Sequence, residues 1–220
     1  MYDMTESVVS RIAPRVTVYP RGAAVPSAGN GEIALPQLQP SPRGSAVFGD
    51  GSHATTRLGA SAVDWFCSRR KPDAVLDVGT GTGILARIAR ARGAGCVVGT
   101  DIDPVALASA TAHAALDEHA IEIHFSTGLP DHWGARFDLV VANILEEPLC
   151  SLAPFLVRAL RAGGVLLITG FTRPQAPAMR LLYERLGLTF MGSSDLEEWT
   201  LLIFNAESSP PLVRWPALDH

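Results

Sequence analysis

Apolar positions in the middle of this chain follow two alternating rhythms. Between residues 56 and 204, short and nearly continuous apolar runs alternate with segments where apolar residues recur every three or four positions. The runs read as buried strands and the segments between them as amphipathic helices. Residues 56–70 predict a helix with Leu58, Ala62, Trp65 and Phe66 on one side. Strands are predicted over 74–78, 96–100, 121–125, 137–142 and 165–169. Helices are predicted over 84–92, from Pro104, over 149–161 (stopped by Gly163 and Gly164) and over 175–186. A proline suits the first turn of a helix, so Pro104 marks a start. Runs 188–193 and 199–204 predict a closing strand pair across the polar turn 194–198.

Strand and helix in alternation imply an α/β fold, with a mostly parallel sheet covered on both faces. The run 137–142 is almost wholly apolar, as expected of a central strand buried on both sides. The final hairpin requires one antiparallel strand at or near an edge. Outside this region the pattern weakens. Residues 1–15 show no periodicity and read as a flexible N-terminus. Residues 16–47 hold many prolines and glycines, with strand character at 16–19 and 32–35, and read as an arm or linker. Residues 48–205 form the domain. Residues 206–220 are a Pro-rich tail, with Trp215 as a candidate surface anchor.

Composition narrows the classes. The chain has 220 residues and is 47% hydrophobic, enough for one α/β domain with a full core. A net charge of −4 gives no basic field for nucleic acid. Lys71 is the single lysine, which reads as a bias towards arginine. Cys67, Cys96 and Cys150 form no metal or redox spacing, and their apolar surroundings predict buried free thiols. No segment is long and apolar enough to span a bilayer, and no leader pattern opens the chain. The expectation is a cytoplasmic protein that binds no metal, membrane or nucleic acid, of unknown oligomeric state.

The chemistry gathers at residues 74–85. A strand runs into Asp77-Val78-Gly79-Thr80-Gly81-Thr82-Gly83 and then a helix. Gly79, Gly81 and Gly83 allow a tight turn and close approach of backbone to a ligand. The helix start presents unpaired N–H groups. Asp101 ends the next strand, about 20 residues on, where a carboxylate can accept the two hydroxyls of a ribose. The turn is D-x-G-x-G-x-G, with an acid before the first glycine, and not G-x-G-x-x-G. That acid repels a pyrophosphate and attracts an ammonium. S-adenosylmethionine carries ribose, a sulfonium and an amino acid end without phosphate, and is favoured over NAD.

Four further stretches narrow the family: Phe48-Gly49-Asp50-Gly51-Ser52-His53-Ala54-Thr55-Thr56, Asp101-Ile102-Asp103-Pro104, Ala142-Asn143-Ile144-Leu145 and Glu197-Glu198-Trp199. In this order they resemble the bacterial PrmA-type methyltransferases, which modify amino groups of a large-subunit ribosomal protein. The resemblance covers roughly residues 16–204. It implies a Rossmann-like class I methyltransferase fold, with a seven-stranded sheet ending in a β-hairpin. Asp50 stands where the family usually has threonine. The family also carries an N-terminal substrate-recognition domain, and about 15 residues precede the matching region here.

The resemblance implies that the loop holding Phe48, Thr55 and Thr56 folds over S-adenosylmethionine. With Asp77, Gly79, Thr80, Gly81, Gly83, Asp101, Ile102 and Asn143, these residues form the expected cofactor site. Thr55 or Thr56 can equally cap the first helix, and Asp103 is the expected cap before Pro104. His53 is either a proton acceptor or a loop hydrogen-bonder. Asn143 closes a buried strand at its carboxyl end, where open α/β sheets place ligands. It is the candidate catalytic residue, holding a substrate amine, with Ile144, Leu145 and Trp199 lining the substrate side. Glu146 and Glu147 either attract a cationic amine or form a solvated helix start. The third strand ends Phe125-Ser126-Thr127-Gly128, without an acid for the adenine amino group. The expected acceptor is an amine of a protein, a peptide or a small molecule. A cofactor-binding protein without catalysis is the alternative class.

Overall fold

The computed structural model describes residues 9–27, 29–38, 47–117, 123–129 and 134–206. Three short strands come first: β1 (Ser10–Ala13), β2 (Val16–Pro20) and β3 (Ile33–Gln37). Then follow α1 (Ala54–Arg70), β4 (Ala74–Val78), α2 (Ile84–Ala91), β5 (Cys96–Asp101), α3 (Pro104–Ala114), β6 (Ile123–Thr127) and β7 (Phe137–Asn143). The chain continues through α4 (Glu146–Ala159), β8 (Leu160–Thr172), α5 (Ala176–Arg185), β9 (Thr189–Leu196) and β10 (Trp199–Asn205). No helix among the described residues is long and apolar enough to cross a membrane.

The main sheet has seven strands in the order β6-β5-β4-β7-β8-β10-β9. β10 runs antiparallel to both neighbours, one place in from the edge. Strand order reverses between β4 and β7, which pair in parallel, with Val78 opposite Ala142. The carboxyl ends of those two strands therefore open a crevice at the switch point.

Successive side chains of a strand point to opposite faces, and the core divides accordingly. Val75, Val97, Leu139 and Val141 pack with Leu58 and Val63 of α1 and Ile88 of α2. Leu76, Val98, Val140 and Ala142 face the other way, onto Leu149 and Leu156 of α4 and Met179 and Tyr183 of α5. Val16, Val18 and Leu35 of the three-stranded sheet join the first cluster. The strands β2 and β3, within the segment read from sequence as an arm or linker, are therefore packed on the α1 side of the domain.

Four expectations are corrected. Ser10–Ala13 is a strand paired with β2, inside the stretch that shows no periodicity in sequence. The glycine pair 163–164 does not end a helix: α4 stops at Ala159 and β8 starts at Leu160, running through the glycines with an irregularity between Phe137 and Leu139 of its partner. The polar turn 194–198 shrinks, because β9 extends to Leu196 and leaves Glu197 and Glu198 as the loop, Glu197 at φ 56°. Cys67 is buried, but Cys96 and Cys150 are exposed. Residues 121–122 of the predicted third strand, the segment 39–46 of the arm, and the tail 207–220 with Trp215 lie outside the described residues.

Candidate active site

A cleft of about 800 Å³ opens along the carboxyl edge of the sheet, between the β5/β6 ends and the β7/β8/β10 ends. Its floor is the turn after β4. Gly81 sits at φ +54°, and a Cβ there would collide with the Phe48 carbonyl. The glycine is required by close approach of two backbones as well as by its left-handed conformation. The Gly79 and Thr80 N–H groups donate to the Thr100 carbonyl at 2.8 and 2.9 Å, pinning the turn to the end of β5.

Asp101 is half-buried at that strand end. Its Oδ2 accepts the Gly81 N–H at 3.0 Å and its Oδ1 accepts the Asp103 N–H at 3.0 Å. These two contacts fix the carboxylate while each oxygen keeps a lone pair for a ligand. Asp103 in turn caps α3, accepting the Val105 N–H at 2.8 Å ahead of Pro104. Ile102 between them is 92% exposed and lines the cleft. Gly128 and Leu129 complete this end, whereas Thr127 does not line it.

Asp77 lies beneath the turn, fully buried. Its Oδ2 accepts the Thr80 hydroxyl at 2.7 Å and the Ala86 N–H at 3.2 Å. Its Oδ1 has no hydrogen-bond partner among the described residues. Burial pushes the Asp77 carboxyl up to about 6; the Thr80 and Ala86 bonds pull against that, and the Asp101 charge adds to it.

The other end is built by β7, β8, β10 and the loop before α1. Asn143 is the last residue of β7, opposite Thr169 of β8, and it lines the cleft with Ile144 and Leu145. Sequence reading missed Gly170, which also lines it. At φ +108°, Gly170 lets the backbone of Ile144 pass where a Cβ would stand. Its signal was available, since it follows the predicted strand 165–169 at the same carboxyl edge. Phe48, His53 and Trp199 stack edge-to-face in a row, with centroids 5.2 Å and then 4.9 Å apart. His53 is also the N-cap of α1: its Nδ1 accepts the Thr55 N–H at 3.3 Å and lies 2.8 Å from the Thr55 hydroxyl. The cap is thus His53, and Thr55 and Thr56 lie inside the first turn.

Of the residues singled out from sequence, the structure brings together twelve on the cleft wall: Phe48, His53, Thr55, Gly79, Gly81, Asp101, Ile102, Asp103, Asn143, Ile144, Leu145 and Trp199. Four stand behind it. Thr56 is fully buried, Asp77 and Thr80 support the turn from below, and Gly83 caps α2 at φ 79°. Glu146 and Glu147 occupy the first turn of α4, and Glu146 accepts a hydrogen bond from Gln175 Nε2. Among the lining residues the carboxylates are Asp101 and Asp103, and none is Lys or Arg. A doubly anionic pyrophosphate would find no counter-charge there. Among the described residues no three His, Cys, Asp or Glu side chains gather as a metal site.

A mostly parallel sheet of this order, reversed at a glycine turn and followed by a strand-end acid, defines the class I S-adenosylmethionine-dependent methyltransferase fold. Residues 10–207 match the family model of ribosomal protein L11 methyltransferase (PrmA). The chain belongs to that family. It is 44% identical over 139 residues to the ribosomal protein L11 methyltransferase of Methylobacillus flagellatus, covering 63% of this chain and 45% of that protein. With the enzyme of the same name from Syntrophotalea carbinolica it is 36% identical over 205 residues, covering 91% and 64%. The crystal structure of ribosomal protein L11 methylase from Lactobacillus delbrueckii subsp. bulgaricus superposes with a TM-score of 0.77 at 28% identity, covering 89% of this chain and 97% of that one. The chain spans about half the length of several of the curated relatives it matches.

Proposed function

We propose that this chain is an S-adenosylmethionine-dependent N-methyltransferase whose acceptor is an amino group of a protein, and that the protein is ribosomal protein L11. The observation that carries the reading is the pairing of Asp101 and Asn143 in one cleft, on opposite sides of the glycine turn. The lining supports the cofactor assignment, because its fixed charge is acidic and suits a ribose and a cationic centre. The cleft volume also falls within the roughly 300–1,000 Å³ usual for small-molecule sites. Work on a ribosomal protein would place the chain in the cytoplasm.

In this reading Asp101 accepts the ribose hydroxyls, and the Gly79–Gly81 backbone lets the amino acid end lie close. S-adenosylmethionine supplies the methyl group from its sulfonium and leaves as a neutral thioether. The residues of the chain align and desolvate the acceptor. An alkylammonium has no lone pair, and its pKa near 10.4 keeps it protonated in water. Apolar walls from Phe48, Leu145 and Trp199 disfavour the charged form. The side-chain oxygen of Asn143 accepts an N–H of the neutral amine and turns its lone pair inward. Water or a carboxylate at the mouth takes the released proton.

The test joins calorimetry with methyl transfer. The chain should bind S-adenosylhomocysteine and not NADH, and should move labelled methyl from the donor to amino groups of L11. Asn143→Ala should keep binding and lose turnover by roughly 100-fold or more, as expected for a group acting on the reacting atom. Full turnover in Asn143→Ala would remove the role given to that residue. Binding of S-adenosylhomocysteine with no transfer to L11 would leave the cofactor and overturn the acceptor.

A further inference from the structure

The segment 47–53 runs along one side of the cleft as a strap, bringing Val47, Phe48 and His53 to its wall. It is tied to the glycine turn by Thr82. Thr82, in the glycine turn, donates its backbone N–H to the Phe48 carbonyl at 3.1 Å and its hydroxyl to the Gly49 carbonyl at 2.5 Å. Thr82 is 5% exposed and Gly49 is buried, so water does not compete freely for the Gly49 carbonyl. The strap is braced at its far side too: Asp50 Oδ1 accepts the Ser52 N–H and hydroxyl at 2.9 and 2.7 Å, and Gln37 Nε2 of β3 donates to the Asp50 carbonyl at 3.0 Å. Those bonds are exposed, whereas the Thr82 hydroxyl bond is buried.

We infer that Thr82 is a positioning residue: its hydroxyl holds the strap against the glycine turn and so shapes the half of the cleft that receives the amino acid end of the cofactor. The inference rests on the cofactor reading above. Topology makes it selective. The strap meets Gly81 in the turn between the two groups and lies with Asn143 and Trp199, at the β7 and β10 ends. Asp101, Ile102, Gly128 and Leu129 lie across β4, at the β5 and β6 ends. A ligand with the nucleoside alone occupies the second group; one that also carries the homocysteine moiety must engage the first.

Removing the hydroxyl without changing the side-chain volume leaves the Gly49 carbonyl buried and unpaired, a loss that favours release of the strap. Thr82→Val should therefore weaken S-adenosylhomocysteine about tenfold while adenosine binds as to the native chain, a difference of the size one buried hydrogen bond gives. Thr82→Ser restores the donor and should restore affinity. Calorimetric titration of the three chains with both ligands reads this directly. Equal binding of S-adenosylhomocysteine by Thr82→Val and the native chain overturns the latch, as does equal weakening of both ligands, which marks a general defect. Failure of the native chain to bind S-adenosylhomocysteine overturns the cofactor reading and the latch together. Amide hydrogen exchange on the unmutated chain gives a measurement free of folding defects. The Thr82 N–H should be protected before ligand is added, and rapid exchange there would overturn the closed strap.

Discussion

Asp77 accepts the Thr80 hydroxyl at 2.7 Å under the glycine turn, on a carboxylate that solvent does not reach. The acid that most distinguishes the motif in sequence is therefore a support for the turn, placed below the cleft rather than on its wall. Its carboxyl titrates near 6, against an ordinary value of 3.8, because burial disfavours the charge. The folded chain holds this proton more tightly than the unfolded chain does. The stabilisation from this group is full below about pH 4, declines as the pH climbs to about 6, and is flat above that. Its ceiling is roughly 3 kcal/mol. Asp77→Asn removes the titration. The melting temperature of the variant minus that of the native chain should rise between pH 4 and 6 and then level. A difference that stays constant from pH 4 to 8 would show that Asp77 has an ordinary pKa.

Asp101 braces the turn and, in the function proposed above, accepts the ribose, and two substitutions separate these roles. Its oxygens accept the Gly81 and Asp103 N–H groups, and they face the cleft. Asp101→Ala leaves both N–H groups unpaired and removes the acceptor for a ribose. S-adenosylhomocysteine affinity should fall roughly 10- to 100-fold, since bonds to a charged acceptor each carry about 1.5–3 kcal/mol. Asp101→Asn keeps one oxygen and should fall in between. Unchanged affinity in the alanine variant, measured by calorimetry, would move the ribose elsewhere.

Gly170 sets the path of the loop that follows β7. At φ +108° it adopts a conformation that side chains avoid, and a Cβ would meet the Ile144 backbone. Gly170→Ala should cost about 2–4 kcal/mol in denaturant unfolding, from strain and overpacking together. Because the displaced atoms follow Asn143, turnover should fall more than S-adenosylhomocysteine binding does. A variant as stable and as active as the native chain would show that the loop relaxes freely.

The frame of the domain was legible because its signals are local and strong. Continuous apolar runs marked β4, β5 and β7, and the Asp103-Pro104 pair marked the start of α3. Glycines before a helix and an acid at a strand end located the cleft. Other features depended on partners distant in sequence. The four residues of β1 carry no period of their own and become a strand by pairing with β2 and burying Ile12 and Ala13. The threonines suggested a helix cap, yet His53 took the position, with its ring also placed between Phe48 and Trp199. The glycines at 163–164 looked like a helix stop, but Leu160 had already paired with Phe137 of β7. The position of Gly170 after the predicted strand 165–169 pointed to the cleft edge, but not to the Ile144 backbone that crosses it.

The three-stranded sheet is fastened by charge as well as by packing. Asp64 of α1 is buried. Its Oδ2 accepts Arg15 Nη2 at 2.9 Å, and its Oδ1 accepts Arg92 Nε. Arg92 also reaches the Gly31 carbonyl at 2.8 Å and the Arg15 carbonyl at 3.3 Å, so one carboxylate organises both ends of the sheet's attachment. Asp64→Ala leaves two guanidinium groups facing each other with their shared acceptor gone. The expected loss is about 2–4 kcal/mol, as for breaking a largely buried ion pair. Amides of β2 and β3 should exchange faster while those of β4 and β7 keep their relative protection. Asp73 provides the contrast: its carboxylate is 88% exposed and lies 3.6 Å from Arg161. Asp73→Ala should leave stability unchanged within error, because exposed pairs are weak. Equal and small effects from both substitutions would mean that apolar packing alone holds the sheet in place.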